Sequence, residues 1–412
     1  MHRVRSWGVG GLLVLEACGA RSTLESSTAD ESSARHFGGA PGIGGALAIG
    51  GALTAMGGAL ANPVRVTTIS AGMAHTCGIS AAGAVKCWGY NEHGELGNGS
   101  TRTSSVPINV IGLSSGVLAV SVGVDACALT SAGGVKCWGA NGFGQLGNGS
   151  RSSAVPLDVE GVSSGIVSIS LGSVACALRS IGTVRCWGYD SYGEVGNGRS
   201  PIPADVVGLS GVVSVSAGDA HACAVTSSGA VKCWGRNDVG QLGNRSRGNS
   251  AVPADVVGLS SGVVSVSAGG AHTCAVTSTG AVKCWGSNNS GQLGNNSTAD
   301  SRVPVDVVDL AGVVSVSAGG VLTCSINSTG AVKCWGSSHW DQSRFQSTSH
   351  TSLVPVAVVG LSSGVISVSV GGSHACAITS TGAVKCWGIN DFGQLGNDST
   401  TGSPVPVDVL GF

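Results

Sequence analysis

Charge is what this chain has least of. Only 10% of its 412 residues are Asp, Glu, Lys or Arg, against about 25% in an average globular domain. The 22 acidic and 21 basic side chains nearly cancel, so no global field draws the chain to nucleic acid or to an anionic membrane. Aromatic residues make up 4%, too few for the girdles that seat a membrane barrel. No sustained helical period occurs anywhere, which argues against a helical domain. The 69 glycines follow no G-x-y triplet, which excludes collagen. Disorder is excluded as well, because 42% of the side chains are apolar and can bury enough surface to offset chain entropy.

What is there in quantity, besides glycine, is cysteine. Fourteen of the fifteen fall into seven C-x9-C pairs: Cys77/Cys87, Cys127/Cys137, Cys176/Cys186, Cys223/Cys233, Cys274/Cys284, Cys324/Cys334 and Cys376/Cys386. Regular pairs at this density point to an oxidising compartment. Cys18 stands alone near the amino terminus.

The first residues agree with export. Arg3 and Arg5 precede an uncharged apolar run from Trp7 to Leu15 that is too short to cross a bilayer. The run ends in Leu15-Glu16-Ala17-Cys18-Gly19, which resembles a bacterial lipobox, with Glu16 departing from the small or apolar residue usual at its place. Residues 1–18 are therefore expected to be a signal segment and Cys18 a lipidation site, so that acyl chains provide the membrane anchor. Residues 19–62 are Ser-rich at first and then built around four Gly-Gly-Ala steps, a composition suited to a flexible tether.

From residue 64 onward the chain repeats itself every 47 to 52 residues, first Cys to first Cys. Each unit holds four Val-rich alternating segments. In the fifth unit these are Gly-Val-Val-Ser-Val-Ser (A), His-Thr-Cys-Ala-Val-Thr (B), Ala-Val-Lys-Cys-Trp-Gly (C) and Val-Pro-Val-Asp-Val-Val (D). Four strands in a repeat of this length mark a propeller blade. Residues 63–412 are thus predicted to be an all-β, seven-bladed propeller of four-stranded antiparallel blades.

Parity tests the B–C connection. If Cys274 and Cys284 face each other, Thr277 faces Ala281 and the loop is Ser278-Thr279-Gly280. A three-residue hairpin loop wants glycine at its last position, and Gly83, Gly133, Gly182, Gly229, Gly280, Gly330 and Gly382 fill that place in all seven units. Facing cysteines on antiparallel strands can be bridged, so one disulfide hairpin per blade is expected. Zinc is the competing use, since His75, His221, His272 and His374 each stand two residues before the first Cys. Zinc cysteines usually lie two to four residues apart. Units two, three and six carry Asp125, Val174 and Leu322 at the His position yet keep both cysteines. Disulfides are the reading that survives, with no metal.

The run H-T-C-A-V-T-S-T-G-A-V-K-C-W-G followed by G-Q-L-G-N is similar to the repeat of the regulator of chromosome condensation family, over residues 64 to 412. That family includes a nuclear guanine-nucleotide exchange factor, a plant UV-B photoreceptor and a secreted bacterial inhibitor of β-lactamases. The resemblance implies the seven-bladed scaffold, on which different loops perform different functions. The photoreceptor carries Trp and Arg just before the repeat's His. Here those places hold Met73-Ala74, Asp219-Ala220, Gly270-Ala271 and Gly372-Ser373. Of the exchange factor's acidic and His residues near the A–B turns, only Asp125, Asp219 and the four histidines have counterparts, and exchange activity is not expected.

Several motifs imitate chemistry. G-x-S-x-G occurs at 112–116, 161–165, 258–262 and 360–364, but always between strands D and A and never before a helix, so it marks a turn and not a nucleophile elbow. A basic column (Lys86, Lys136, Arg185, Lys232, Lys283, Lys333, Lys385) and an acidic one (Asp158, Asp205, Asp255, Asp306, Asp408) are expected to pair across strands C and D. G-Q-L-G-N and its Glu variants mark the C–D turns, and the Trp after each second Cys is expected to pack between blades.

The function expected is that of a noncatalytic binding or scaffold module, exported to the cell envelope or secreted, with a protein partner or a surface glycan and without cofactor. A hydrolase built on the A–B turn His and Asp residues is the competitor from another class. The candidate binding site is the C–D connection of blade six, which replaces the G-Q-L-G-N turn and contains Trp340, Asp341, Arg344 and Phe345. Trp and Arg are types that dominate binding hot spots.

Overall fold

The computed structural model describes residues 65–197, 202–337 and 351–412. The expected signal segment, the tether and Cys18 lie outside the described residues. So do Trp340, Asp341, Arg344 and Phe345. The described residues form seven four-stranded antiparallel sheets, each in sequence order A-B-C-D. The blades span 66–109, 117–158, 166–205, 212–255, 263–306, 313–357 and 365–408. A strands meet A strands around an inner circle, the seventh touching the first. Among the described residues the ring closes without exchange of a strand, since blade one holds the first four and blade seven the last four.

The hairpin register follows from parity. Cys274 faces Cys284, and Ala275 and Val276 face Lys283 and Val282. The Thr277 amide donates to the Ala281 carbonyl at 2.9 Å, and Gly280 sits at φ 77°. Every expected pair is a disulfide: Cys77–Cys87, Cys127–Cys137, Cys176–Cys186, Cys223–Cys233, Cys274–Cys284, Cys324–Cys334 and Cys376–Cys386, each with Cα atoms 4.1 Å apart. Thirteen of these cysteines are buried and Cys334 is half-buried.

Strand D departs from the sequence reading. It begins two residues earlier than expected, at Ser301 in blade five. The Ser301 hydroxyl donates to the Val303 carbonyl, and a bulge opposite Trp285 resets the pairing so that Ser301 meets Gly286. The same irregularity follows the second cysteine of the other long blades, after Cys87, Cys137, Cys233, Cys334 and Cys386. Blade three differs, because its strand D is two residues long and Cys186 pairs with Ala204 at its start. Beyond Asp306 the chain turns off, with the Val308 amide donating to the Gly294 carbonyl.

The core lies between blades. Cys77, Ile79, Val85 and Leu96 of blade one pack with Val117, Val120 and Trp138 of blade two, and equivalent clusters recur around the ring. At the inner circle the approach is closest. Gly72, Gly123, Gly172, Gly218, Gly269, Gly319 and Gly371, each just after strand A, face the carbonyl oxygen of the next blade's equivalent glycine. A Cβ at Gly72 would stand 2.6 Å from the Gly123 oxygen, and the seventh, Gly371, faces Gly72. Two residues earlier, the buried hydroxyl oxygens of Ser70, Ser121, Ser170, Ser216, Ser267, Ser317 and Ser369 accept the backbone amides of Val122, Leu171, Ala217, Ala268, Ala318, Val370 and Ala71 at 2.9–3.0 Å. The V-S-A-G run at the end of strand A is therefore a closed seven-membered belt.

Outside the belt, a tryptophan clasps six of the seven seams among the described residues. The indole N–H groups of Trp88, Trp138, Trp187, Trp234, Trp285 and Trp335 donate to the carbonyls of Gln394, Glu95, Gln145, Glu194, Gln241 and Gln292 in the preceding blade's C–D turn, at 2.7–2.9 Å. The second glycine of that turn lies under the ring: a Cβ at Gly97 would stand 2.8 Å from Trp138 Nε1. The counterpart for Trp387 belongs to blade six, whose connection lies outside the described residues. Phe412 stands where Leu259 stands in blade four and meets Trp88 edge-on at 5.5 Å. The charged columns pair as expected, Lys136, Lys232, Lys283 and Lys385 with Asp158, Asp255, Asp306 and Asp408 at 2.5–2.7 Å, and Arg185 with Asp205 at 3.0 Å. Their carboxylates are mostly exposed, so each pair contributes little.

The belt predicts an asymmetry between glycines. Gly269→Ala should destabilise the propeller by about 1–3 kcal/mol, as overpacking does where backbone cannot give way. Gly142→Ala, where a Cβ meets nothing within 4 Å and φ is unremarkable, should change stability by less than about 0.5 kcal/mol. Denaturant unfolding of the two variants checks the difference.

Candidate functional site

Antiparallel blades place the A–B and C–D turns at one end of the ring and the B–C and D–A turns at the other. The A–B histidines, Asp125, Asp219 and the described C–D turns thus share an end. Each described C–D turn is organised by an Asn or Asp three residues after the Trp. Asn288 is fully buried, its Oδ1 accepts the Leu293 amide at 2.9 Å, and its Nδ2 donates to the Ser297 and Ala299 carbonyls. Blade six has Ser338 at that position.

The histidines couple blades. His221, His272 and His374 meet Thr273, Thr323 and Thr76 of the next blade at 2.7–2.8 Å through Nε2. These threonines donate their protons to the Gln241, Gln292 and Gln394 carbonyls. Each imidazole must therefore donate from Nε2, which leaves Nδ1 bare. Burial pushes all four histidines down, to about 3 for His75, His221 and His374 and about 4 for His272. They are neutral struts at physiological pH. His75 is the exception in its contacts: blade two offers Ala126 in place of Thr, and His75 Nε2 is buried without a partner.

On this end the chain gathers its scarce aromatics. All three tyrosines lie in C–D turns, together with Phe143 and Phe392. Phe392 of blade seven meets Tyr90 of blade one at 5.1 Å, edge to face, and His93 follows Tyr90 at 6.4 Å. Phe143 of blade two meets Tyr189 of blade three at 5.1 Å, and Tyr192 follows Tyr189 at 6.4 Å. Arg236 of blade four lies over Tyr192 at 5.3 Å. Sequence reasoning passed over these residues. Their signal was present, since Trp-Gly-Tyr and the Glu variant of the turn coincide in blades one and three and nowhere else.

Beneath the arc are buried acids. Glu95 and Glu194 replace the Gln of other turns and accept the His93 and Tyr192 amides at 2.9 and 2.8 Å. Desolvation raises both, Glu194 to about 7. Asp125, wholly buried and without a hydrogen-bond partner for either carboxyl oxygen, is raised to about 8, first by burial and further by Glu95. Asp219 is raised by burial and partly relieved by Arg236. At the seam of blades seven and one the surface opens into a pocket of about 610 Å³, lined by His75, Tyr90, His93, Glu95, Phe392 and Gln394 among others.

A carboxyl raised by burial destabilises the fold as it ionises. For Asp125 the native state holds its proton through the range from about 4 to about 8, where the unfolded chain has lost it, so its contribution falls as pH rises across that window. Asp125→Asn should be nearly neutral at pH 4 and should gain stability over the parent toward pH 8, with a slope of up to about 1.4 kcal/mol per pH unit. Urea unfolding at the two pH values measures it.

Comparison with known proteins fits this architecture. Two models of the regulator of chromosome condensation (RCC1) repeat match the chain, one at residues 66–95, 212–241, 263–292 and 365–394, the other at 82–129, 132–178, 228–276 and 279–326. The chain is 31% identical over 146 residues to the human E3 ubiquitin-protein ligase HERC2, covering 34% of this chain and 3% of that protein. It is 33% identical over 150 residues to the mouse probable E3 ubiquitin-protein ligase HERC4, covering 35% and 14%. The chain thus spans a small fraction of these relatives. Among solved structures, yeast RCC1 (Prp20), crystallised with Kap60, superposes with a TM-score of 0.69 at 22% identity over 79% of this chain and 83% of that one. Human WBSCR16 superposes with a TM-score of 0.67 at 22% identity over 80% and 94%. With repeat matches that together span more than half its length, the chain belongs to the regulator of chromosome condensation (RCC1) repeat family.

Proposed function

We propose that this propeller is a noncatalytic module that binds a protein partner through the end carrying the A–B and C–D turns. The observation that carries the reading is the concentration of all three tyrosines with Phe143 and Phe392 on that end, in a chain with 4% aromatics. Phe143 is 61% exposed and Phe392 40%, which is the disposition of contact residues and not of a core. Solved relatives fit the same class: yeast Prp20p is described with binding properties toward Gsp1p and histones. The hydrolase alternative finds less support. Among the described residues no histidine ring is hydrogen-bonded to a carboxylate, and three of the four A–B histidines, His221, His272 and His374, are engaged as inter-blade struts. The blade-six residues Trp340, Asp341, Arg344 and Phe345 belong to a C–D connection and remain candidate contacts on this reading. A surface glycan is the second ligand class for the same end.

Capture by the full chain from its native compartment tests the face. Partner recovery should fall at least about tenfold for the double variant Phe143→Ala/Tyr189→Ala, and stay unchanged for Ile181→Ala, an exposed residue in a B–C loop at the other end. Equal recovery by both variants would remove the assignment.

The setting proposed for this module is the envelope of an exporting cell, or the medium outside it. Seven disulfides support an oxidising compartment. Mass spectrometry of the native protein should find Cys18 acylated at a new amino terminus. An unprocessed Glu16–Cys18 junction would refute the lipid anchor.

A further inference from the structure

The seven A strands share an irregularity at their second residue. Pairing with strand B skips Thr67, Leu118, Val167, Val213, Val264, Val314 and Ile366. A bulge re-aims the side chain it skips, and these seven are exposed while the residue before each is buried. A polar side chain serves there, as Thr67 shows, yet the other six are aliphatic and 40–61% exposed. Strand A begins at the end of the ring that carries the B–C and D–A turns, and A strands meet around the inner circle, so these residues form a rim at that end. Equivalent positions in a repeated ring lie at one height, which makes the rim flat. The same end also carries Ile111, Val207, Val359 and Leu410, each two residues after strand D and exposed.

This end is nearly free of charge. None of the seven B–C loops holds an Asp, Glu, Lys or Arg, and between strands D and A only Glu160 and Asp309 are charged. The nearest charged columns, Lys on strand C and Asp on strand D, cancel in pairs. The opposite end differs, with Glu92, Asp190, Arg236, Asp238 and Asp391 in its C–D turns. The chain also enters the propeller at the uncharged end. Arg65 precedes Val66, the first residue of the first strand A, so residues 19–64 connect Cys18 to the end that carries the aliphatic rim.

We propose that the B–C and D–A end rests on the lipid bilayer that holds the acylated Cys18, with its aliphatic rim set among the headgroups, and that the aromatic end is thereby presented away from the membrane. A flat, uncharged face suits a lipid surface, because charged groups resist leaving water whereas exposed Leu, Val and Ile gain by it. Each contact is weak. The tether compensates, since it holds the face beside the membrane at a high effective concentration, and the rim adds a second membrane contact to the acyl chains. With so little charge on the face, the contact does not depend on the charge of the headgroups. The inference rests on the lipid-anchor reading and adds which face the anchored ring turns to the membrane.

Photocrosslinking of the full-length protein in vesicles of phosphatidylethanolamine and phosphatidylglycerol tests it. Benzoylphenylalanine in place of Val167, on the rim, should give lipid adducts at least about tenfold more often than the same probe in place of Phe143, at the opposite end. The triple variant Leu118→Asp/Val264→Asp/Val314→Asp, confined to exposed bulge positions, should keep the parent Tm and lower the adduct yield at residue 167 at least about fivefold. Replacing phosphatidylglycerol with phosphatidylcholine, or raising salt from about 0.05 M to about 0.5 M, should change that yield by less than about twofold. Equal yields from the two ends, or a yield that collapses in high salt, would overturn the proposal. Adducts between two copies of the chain at residue 167, in place of lipid adducts, would assign the rim to self-association and refute a lipid surface. Acylated Cys18 without lipid adducts at residue 167 would sink this inference and leave the anchor standing. Lipid adducts there from protein whose Cys18 proves unmodified would support the face and remove the anchor.

Discussion

The whole ring depends on how closely seven backbones approach one another at the ends of the A strands. Each blade places a glycine against the carbonyl oxygen of the next, and each serine two residues back accepts an amide from the neighbouring strand. The contact is self-consistent only when it closes, because every glycine is both the intruder on one blade and the host of another. A methyl group at one of them has no flexible neighbour to displace, since what it meets is mainly backbone. The belt also satisfies the buried serine hydroxyls and the amides opposite them, so the inner circle leaves few polar groups unpaired.

Blade number and disulfides build outward from that belt. The Trp clasp links strand C of one blade to the C–D turn of the one before, and it needs glycine in the turn for the indole to lie flat against backbone. The disulfide hairpin fixes the register of strands B and C. That register sets the Trp at the end of strand C, where the clasp can form. A chain with little charge and few aromatics can hold a large ring in this way, because the belt repeats one solution at seven seams and the described clasps repeat another at six.

The proposed binding end is where the repeat departs from itself. Gln gives way to Glu at positions 95 and 194, Thr to Ala at 126, and the residue after Trp-Gly becomes Tyr at 90 and 189. None of these changes disturbs the belt or the clasp, whose contacts run through backbone carbonyls at the Gln/Glu positions. The scaffold therefore tolerates buried acids and unpartnered groups at one end while its own seams stay intact. Arg236 partly offsets one such departure, and at the seam of blades seven and one a pocket opens beside another.

The blade count, the strand order, the disulfide pairing and the three-residue hairpins were legible in the sequence, because each follows from local spacing: a two-residue period, a ten-residue Cys separation and a glycine at a left-handed position. The Lys–Asp columns were legible for the same reason, being cross-strand neighbours in one sheet. The start of strand D was not, since a bulge opposite Trp285 shifts it and bulges arise from pairing. The serine and glycine belt, the indole hydrogen bonds of the Trp clasp and the Thr partners of His221, His272 and His374 were out of reach, because each joins residues about forty to three hundred positions apart. The site differed most. Tyr90 and Phe392 are far apart in the chain, and only closure of the ring makes them neighbours above Glu95. Repetition along the chain determined the blades. Proximity around the circle, which no local spacing encodes, decided where the departures from repetition meet.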